Sequence, residues 1–295
     1  MRIVLVPPGV GQQAKPATRP RPFDRGGRAT CGGYRADWGG ALPNITYPAP
    51  AGALPGYLAQ PTAGGPWPGV VVIQDVRGMT ADLRRISDRL ASEGYLALAP
   101  DLYGRGSKPR CVIATVRAHF ADTGDAYDDI VAARNYLLGI PRCNGRVGVI
   151  GFCMGAGFVL QMAPRGVFDA AAPQYGLAPK NIDVLENSCP IVASYGAKDR
   201  IVRAGSASAL EAVLAKGDVA RDIKEYPAVG HSFMNRSGLP TQFSVVENLA
   251  GLAYSAPEAE DAWARIFAFF KTHLSQAPDR SGRSEPEGVN DASAN

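Results

Sequence analysis

Short apolar runs alternate with segments of helical period through the middle of the chain, and this alternation constrains the fold more than any other feature. Residues 69–74 (GVVVIQ) and 146–152 (RVGVIGF) are continuous apolar runs, which is typical of parallel strands buried on both faces. A segment of helical spacing follows the first run, with Thr80 as its N-cap and Gly94 as its terminating glycine. Such alternation predicts a single α/β domain in which a mostly parallel sheet is covered by helices on both faces.

The remaining elements follow the same alternation. The pattern predicts strands over 95–99, 168–172, 190–195 and 222–226, and helices over 125–138, 154–163 and 205–215. A last helix carries an apolar stripe at helical spacing and is predicted to begin with a capping box between Ser255 and Glu258. Because ligands bind beyond the carboxyl ends of the strands in such sheets, we expect the functional residues in the loops that follow strands.

Both ends of the chain differ in composition from its middle. Residues 1–42 are rich in Pro, Gly and Arg without a sustained period, and residues 276–295 are polar and rich in helix breakers. We expect a disordered basic extension over 1–42, the α/β domain over 43–275 and a disordered tail over 276–295. No run approaches the roughly 20 apolar residues of a membrane helix, and the start of the chain is a poor signal peptide, so no membrane partner is expected.

The formal net charge of +4 belongs to the N-terminal extension. Residues 1–40 contain seven basic and two acidic residues, whereas the remainder contains 24 basic and 25 acidic ones. A nucleic-acid interface needs a basic face on the folded part or a dense basic run. Neither is present in the sequence, which predicts no nucleic-acid partner.

Cysteine usage indicates the redox environment. The chain has Cys31, Cys111, Cys143, Cys153 and Cys189, an odd number, and no C-x-x-C pair. This pattern argues against a disulfide framework and against a zinc ribbon. We therefore expect a protein of a reducing compartment, the cytoplasm.

One cysteine lies in a pattern that carries chemistry. Residues 151–155 (GFCMG) join a predicted strand to a predicted helix and match the nucleophile elbow G-x-S-x-G, with Cys153 in place of serine. The turn needs flanking glycines because side chains there would collide with the neighbouring strand and helix. A buried structural cysteine also satisfies the bare pattern. The strand-to-helix position favours instead an exposed nucleophilic thiol near a helix N-terminus.

A thiol nucleophile needs a base near it. The chain has three histidines, and only His231 lies in a loop after a predicted strand. His119 and His273 both lie in predicted helices. The position of His231 after the last predicted strand is the one that an α/β-hydrolase gives its base.

The base needs an acid that orients it. Asp199 follows the predicted strand 190–195, between the nucleophile and the base in the chain. The order Cys153, Asp199, His231 is the nucleophile–acid–base order of the α/β-hydrolase fold. Asp183 and Asp222 are weaker alternatives, since one precedes a strand and the other opens the next.

An acyl-transfer site also needs donors for a developing oxyanion. We expect one donor to be the backbone N–H of Met154, directly after the nucleophile. The second is expected in the loop after the strand 69–74, where we assign the N–H of Val76. Residues 101–106 (DLYGRG) follow another strand end and are expected to border the pocket, with Asp101 as a structural hydrogen-bond acceptor.

These motifs together resemble the dienelactone hydrolase family over roughly residues 45–275. The matching stretches are the loop at 74–75, the segment 100–103 (PDLY), the elbow, the Asp199 loop and the segment 230–233 (GHSF). The resemblance implies a carboxymethylenebutenolidase-like enzyme with a Cys-His-Asp triad and an acyl-thiol intermediate. It implies that the substrate is a small ester or lactone and that the reaction needs neither a metal nor a cofactor.

The resemblance also assigns residues around the thiol. Asp75 stands where the family typically has a glutamate that modulates the ionisation of the thiol, and Tyr103 and Phe233 are assigned to the pocket. An arginine shortly after the His-Ser-Phe stretch holds the substrate carboxylate in the family. Here Asn235 and Arg236 follow Met234, so Arg236 is the candidate, displaced by one residue.

The sequence thus predicts a hydrolase, either a monomer or a homodimer, that opens a small ester or lactone. Two other interpretations stay open. One is a non-catalytic or very slow family member that binds a small acyl ligand, which the shorter side chain of Asp75 motivates. The other is a redox-sensing thiol at Cys153, against which the absence of a nearby resolving cysteine argues.

Overall fold

The computed structural model describes residues 44–236 and 252–275, which contain an eight-stranded sheet. Its strands are β1 Asn44–Tyr47, β2 Leu54–Ala59, β3 Trp67–Ile73, β4 Leu96–Pro100, β5 Cys143–Phe152, β6 Ala170–Gln174, β7 Ile191–Gly196 and β8 Arg221–Tyr226. Their order across the sheet is β1-β2-β4-β3-β5-β6-β7-β8. Strands β3 to β8 are mutually parallel, while β1 and β2 pair antiparallel at one edge. The predicted extension and tail lie outside the described residues.

Helices cover both faces of this sheet. They are α1 Ala81–Ser92, α2 Lys108–Ala121, α3 Asp125–Leu138, α4 Met154–Met162, α5 Ser206–Lys216 and α6 Ala256–Leu274. Buried residues of α1 and α6 pack in one hydrophobic cluster, and those of α2, α3, α4 and α5 pack in the cluster on the opposite face. The predicted mostly parallel sheet with helices on both faces is therefore confirmed. Within the described ranges, no helix combines the length and the apolarity needed to cross a bilayer.

The central strands form because their residues are apolar on both sides. Residues Val70–Ile73 of β3 are completely inaccessible to solvent, as are most side chains of β4, β6 and β7. At the start of α1, the Thr80 side chain accepts a hydrogen bond from the N–H of Leu83, as predicted for an N-cap. The carboxyl ends of the parallel strands consequently meet at one edge of a rigid sheet.

The structure adds two strands that the sequence pattern did not predict and corrects one predicted helix cap. The strands β1 and β2 were not predicted, because Pro55 and Gly56 near the start of β2 resemble loop residues; the structure accommodates the proline at the beginning of the strand. The predicted capping box at α6 does not form. The Ser255 hydroxyl donates to the Glu258 carboxylate and makes no cap hydrogen bond to a backbone N–H.

Candidate active site

The loop between β5 and α4 holds Cys153 in a conformation that few residues adopt. Its φ of 54° and ψ of −115° lie in a strained region for a residue with a side chain. A Cβ at Gly151 would lie 2.4 Å from the carbonyl oxygen of Gly155, and one at Gly155 would lie 2.5 Å from that of Gln74. The glycines are therefore required by close backbone packing. They leave the half-buried thiol at the N-terminus of α4.

The loops after β7 and β8 bring an acid and a base together. Oδ2 of Asp199 lies 2.7 Å from Nδ1 of His231, and each side chain is 3% exposed. The other carboxylate oxygen, Oδ1, accepts hydrogen bonds from the backbone N–H groups of Ile201 at 2.7 Å and Val202 at 2.9 Å. Asp199 is thus fixed by its own loop, and it holds the imidazole in one orientation.

The imidazole of His231 is also coupled electrostatically to the thiol. Burial favours the neutral ring, but the hydrogen bond to Asp199 and the interaction with Cys153 outweigh it and raise the pKa of His231 to about 9. The second ring nitrogen, Nε2, is buried and has no hydrogen-bond partner in the part of the chain that the structure describes. A buried ring nitrogen without a partner costs free energy, and it is available to exchange a proton with a neighbouring thiol.

The other candidates for base and acid lie elsewhere. His119, on α2, packs against Phe158 of α4, and burial lowers its pKa. His273, near the end of α6, lies against Phe269. Asp222 forms an ion pair with Arg265 at 2.6 Å. These residues pair elsewhere, whereas His231 binds Asp199 and interacts with Cys153 at the edge where the strands end.

The loop after β3 lies beside the elbow and is bound by Tyr103. The Tyr103 hydroxyl donates to the carbonyl oxygen of Val76 at 3.1 Å, and Gly78, with φ of 85°, leaves room for the tyrosine ring. The Val76 side chain is 49% exposed. No hydrogen bond from the Val76 N–H to a described residue is formed, and Met154 is the first residue of α4, where an N–H has no helical partner. Asp101, as predicted, accepts a hydrogen bond from the Tyr103 N–H.

The carboxylate of Asp75 is bound by Arg77. Its Oδ2 accepts from Nε of Arg77 at 2.9 Å and from Nη2 at 2.6 Å, while its Oδ1 accepts from the Arg77 backbone N–H at 2.7 Å. The arginine thus occupies both carboxylate oxygens, and its pKa is raised by this pairing against the effect of its own burial. Asp75 is therefore paired with a cation within the loop after β3, an arrangement that the sequence did not predict.

The two residues assigned after His231 have different surroundings from those expected. Phe233 is completely buried and packs against Tyr175 and Tyr226, so its ring supports the histidine loop from within the core. The guanidinium of Arg236 lies 4.7 Å from the ring centroid of Tyr254 and is exposed. The guanidinium of Arg236 thus packs on an aromatic ring, and its shown contacts are not with Cys153, Asp199 or His231.

Sequence reasoning missed Tyr175, which contacts the imidazole, and the hydrogen bonds that link it to Asn235 and Asp82. The ring of Tyr175 packs edge-on against that of His231, with centroids 5.2 Å apart. The Tyr175 hydroxyl donates to Oδ1 of Asn235, and Nδ2 of Asn235 donates to Asp82 at 3.0 Å. Only the position of Asn235 in the histidine loop offered a signal in the sequence.

The family model described as the dienelactone hydrolase family matches residues 54–274, from β2 to the end of α6. The chain belongs to the dienelactone hydrolase family. A Synechocystis protein named "Putative carboxymethylenebutenolidase" is 28% identical over 251 residues, covering 78% of this chain and 96% of that protein. "Protein usf" of Aquifex pyrophilus is 32% identical over 229 residues, covering 74% and 93%. The solved structure titled "m3DLH" is 25% identical, has a TM-score of 0.67 and covers 78% of this chain and 97% of that one.

Membership of the dienelactone hydrolase family makes this chain a hydrolase of α/β-hydrolase fold that acts on small-molecule esters or lactones. Within the dienelactone hydrolase domain, the residues described above meet at the carboxyl edge of the sheet, where ligands bind in such folds. The arrangement provides a thiol, an imidazole oriented by a carboxylate, and backbone N–H groups without partners. Those are the parts that acyl transfer requires.

Proposed function

We propose that this dienelactone hydrolase family member opens a small ester or lactone with Cys153 as nucleophile, His231 as base and Asp199 as the acid that orients the base. The observation that carries the proposal is the state of His231. One ring nitrogen is bound by Asp199, and the other is buried without a partner while Cys153 helps to raise the pKa of the ring. That is the arrangement expected of a base that receives a thiol proton.

The proposed reaction has two halves. His231 takes the proton of the Cys153 thiol, and the thiolate sulfur attacks the carbonyl carbon of the ester. The Val76 and Met154 N–H groups stabilise the oxyanion of the tetrahedral intermediate. When this intermediate collapses, the carbon–oxygen ester bond breaks, and the leaving alkoxide receives the proton from His231. An acyl-thiol enzyme remains, with the alcohol released or, for a lactone, still attached to the acyl group.

Water completes the cycle. His231, now neutral, takes a proton from a water molecule that attacks the thioester, and the same two N–H groups stabilise the second oxyanion. Collapse releases the carboxylic acid, and the departing thiolate and the imidazolium restore the starting state. We expect activated esters and lactones to react better than amides, because a thiolate leaves more readily than an amine from a tetrahedral intermediate.

The substrate range follows from the charges around the thiol. Arg77 neutralises Asp75, and Arg236 lies on Tyr254. We propose that Asp75 modulates the thiol through this ion pair, and that Tyr103 borders the pocket by holding the oxyanion loop. A role for Arg236 in binding a substrate carboxylate would require its guanidinium to leave Tyr254. We therefore expect neutral esters to be accepted.

The four described cysteines are free, in keeping with a cytoplasmic location.

A second function is favoured by one observation. Asp75 has both carboxylate oxygens bound by Arg77, so it is not free to take up the thiol proton as a longer glutamate could. The alternative is a very slow or non-catalytic family member that binds a small acyl ligand.

Purified protein assayed with aryl esters and lactones tests both proposals. Wild type should hydrolyse at least one activated ester, and intact-mass spectrometry should detect a transient acyl adduct. The Cys153→Ala variant should lose both activity and adduct, whereas Cys111→Ala, a substitution of a half-buried cysteine on α2, should keep both. Unchanged hydrolysis by Cys153→Ala would refute the triad. Ligand binding without turnover or adduct in wild type would favour the alternative.

A further inference from the structure

Three buried polar side chains form a continuous hydrogen-bonded connection behind the imidazole, which we call the Asn235 bridge. It consists of Tyr175, Asn235 and Asp82. The Tyr175 hydroxyl donates to Oδ1 of Asn235, and Nδ2 of Asn235 donates to Oδ2 of Asp82 at 3.0 Å. All three residues are at most 5% exposed. Hydrogen bonds shielded from water in this way are costly to break, because an orphaned partner cannot be solvated.

The Asn235 bridge joins the loops after two different strands to the first turn of α1. Tyr175 follows β6, next to Gln174, whose carbonyl oxygen accepts the Cys153 N–H at 3.2 Å. Asn235 lies four residues beyond His231 in the loop after β8. Asp82 lies in the first turn of α1, directly after the loop that carries Val76. The connection thus ties the base loop to the nucleophile side and to the oxyanion loop.

The base loop is anchored at a second atom as well. The backbone N–H of Arg236 donates to the same Oδ2 of Asp82 at 2.9 Å, and Arg85 pairs with the other carboxylate oxygen. Tyr175 is held with φ of 45°, which is uncommon for an aromatic residue and persists only when the surroundings fix it. Its ring packs against both His231 and Phe233. Motion of the bridge would therefore move the imidazole.

The chemistry of the bridge requires an amide at position 235. A hydroxyl donor lies on one side and a carboxylate acceptor on the other, so the central group must accept and donate at once. A carboxylate there would face Asp82 with a second negative charge. An apolar side chain would remove the acceptor of the Tyr175 hydroxyl and one of the donors to Asp82, which would keep the Arg236 N–H and Arg85. The Asn235 side chain accepts from the Tyr175 hydroxyl and donates to the Asp82 carboxylate.

We propose that Asn235 is a positioning residue that, through Tyr175 and Asp82, holds His231 at the geometry needed to exchange a proton with Cys153. The proposal rests on the function proposed above. The side-chain hydrogen bonds of Asn235 go to Tyr175 and Asp82, so it would act through these residues and not on the reacting atoms. Its substitution should lower the rate of the chemical step and the reactivity of the thiol while leaving substrate affinity close to that of wild type.

The test compares Asn235→Leu and Tyr175→Phe with a matched control, Tyr226→Phe. Tyr226 is a buried tyrosine of the same aromatic cluster, and its hydroxyl donates to Asp261 at 2.6 Å rather than to the bridge. The readouts are kcat and KM for a neutral aryl ester, and the rate of Cys153 alkylation by iodoacetamide between pH 5 and 10. Thermal unfolding reports stability separately.

We expect Asn235→Leu to lower kcat by about 10- to 100-fold, since an ångström of misplacement has effects of that order. KM should change less than about threefold, and alkylation at pH 7 should slow because the imidazolium is no longer held beside the thiolate. Tyr175→Phe should shift both in the same direction, and the double variant should fall short of the product of the single effects. The control should lose stability but keep kcat and the alkylation profile.

Several outcomes would overturn the proposal. Unchanged kcat and an unchanged alkylation profile in folded Tyr175→Phe would do so even if Asn235→Leu failed to fold, and so would equal losses in Tyr226→Phe. The function proposed above fails by a different result, namely wild-type protein in which Cys153 is not alkylated at neutral pH. The two failures are thereby separated within one experiment.

Discussion

The carboxylate of Asp199 binds Nδ1 of His231 at 2.7 Å in a place from which water is almost excluded. Burial alone would keep the imidazole neutral, yet the hydrogen bond to Asp199 and the interaction with Cys153 raise the pKa of His231 to about 9. The pair is consequently most stable when the ring carries a proton. Both the stability of the fold and the proposed chemistry should depend on that proton.

Stability should fall with rising pH because of His231. The ordinary pKa of a histidine is 6.5, so the unfolded chain releases this proton before the folded protein does. The stabilisation is fully present below about pH 6.5 and is lost as the pH rises through about 9, with an upper limit of about 3–4 kcal/mol for a shift of that size. Urea unfolding of wild type and His231→Gln at pH 6 and pH 10 measures it. The difference in free energy of unfolding should shrink at pH 10, and a constant difference would contradict the assignment.

Replacing the acid should disable the base without unfolding the loop. In Asp199→Asn, an amide oxygen can still accept from the Ile201 and Val202 N–H groups, but an amide nitrogen facing Nδ1 selects the wrong tautomer of His231. We expect kcat to fall by about 10²- to 10⁴-fold. Asp222→Asn is the control, because Asp222 pairs with Arg265 outside the site. Equal kcat values for the two variants would show that Asp199 is not the acid.

The oxyanion donor after β3 can be removed without altering a charge. Proline has no N–H, so Val76→Pro should lower kcat by about 10²- to 10³-fold if that N–H stabilises the oxyanion. Val76→Ala keeps the donor and trims a side chain that is 49% exposed, so its kcat should stay within about threefold of wild type. Steady-state kinetics on one aryl ester, with circular dichroism to verify folding, compares the two. A folded Val76→Pro variant with wild-type kcat would assign the donor elsewhere.

The elbow should not tolerate a methyl group at Gly155. A Cβ there would lie 2.5 Å from the Gln74 carbonyl oxygen and 2.6 Å from that of Ile73, both of them backbone atoms of or beside β3. Gly155→Ala should destabilise the protein by about 1–3 kcal/mol, as overpacking of a core does. In Gly139→Ala the new methyl group would lie 3.3 Å from its nearest neighbour, so its loss should be smaller. Chemical denaturation of both variants measures the two losses of stability. Similar denaturation midpoints would mean that the backbone of the elbow shifts to accommodate the methyl group.

Much of the fold could be predicted from local pattern. The run GVVVIQ predicted β3, and the spacing between Thr80 and Gly94 predicted α1, because burial on two faces and helical amphipathicity both leave a periodic trace in the sequence. Strand β2 left no such trace. Its Pro55 and Gly56 carry the composition of a loop, and only pairing with β1 and β4 makes them a strand.

The candidate triad could be predicted from the sequence for the same local reason. Cys153, Asp199 and His231 each follow a strand, and the parallel sheet brings strand ends to one edge whatever the distance along the chain. The pairing of Asp75 with Arg77 could not be predicted from the sequence, although the two residues are close along the chain. The sequence pattern does not show the orientation of the arginine side chain.

The sequence by itself determined the alternation of elements, the glycine-flanked cysteine and the order of the residues that surround it, since these depend on local backbone preference and period. Only the tertiary structure decided the Asn235 bridge. Its hydrogen bonds join residues 60 and 153 positions apart, and polar side chains at such separations carry no periodic signal. Their partners are chosen by the packing of two loops against the start of α1 in a space closed to water, where each buried donor must find an acceptor.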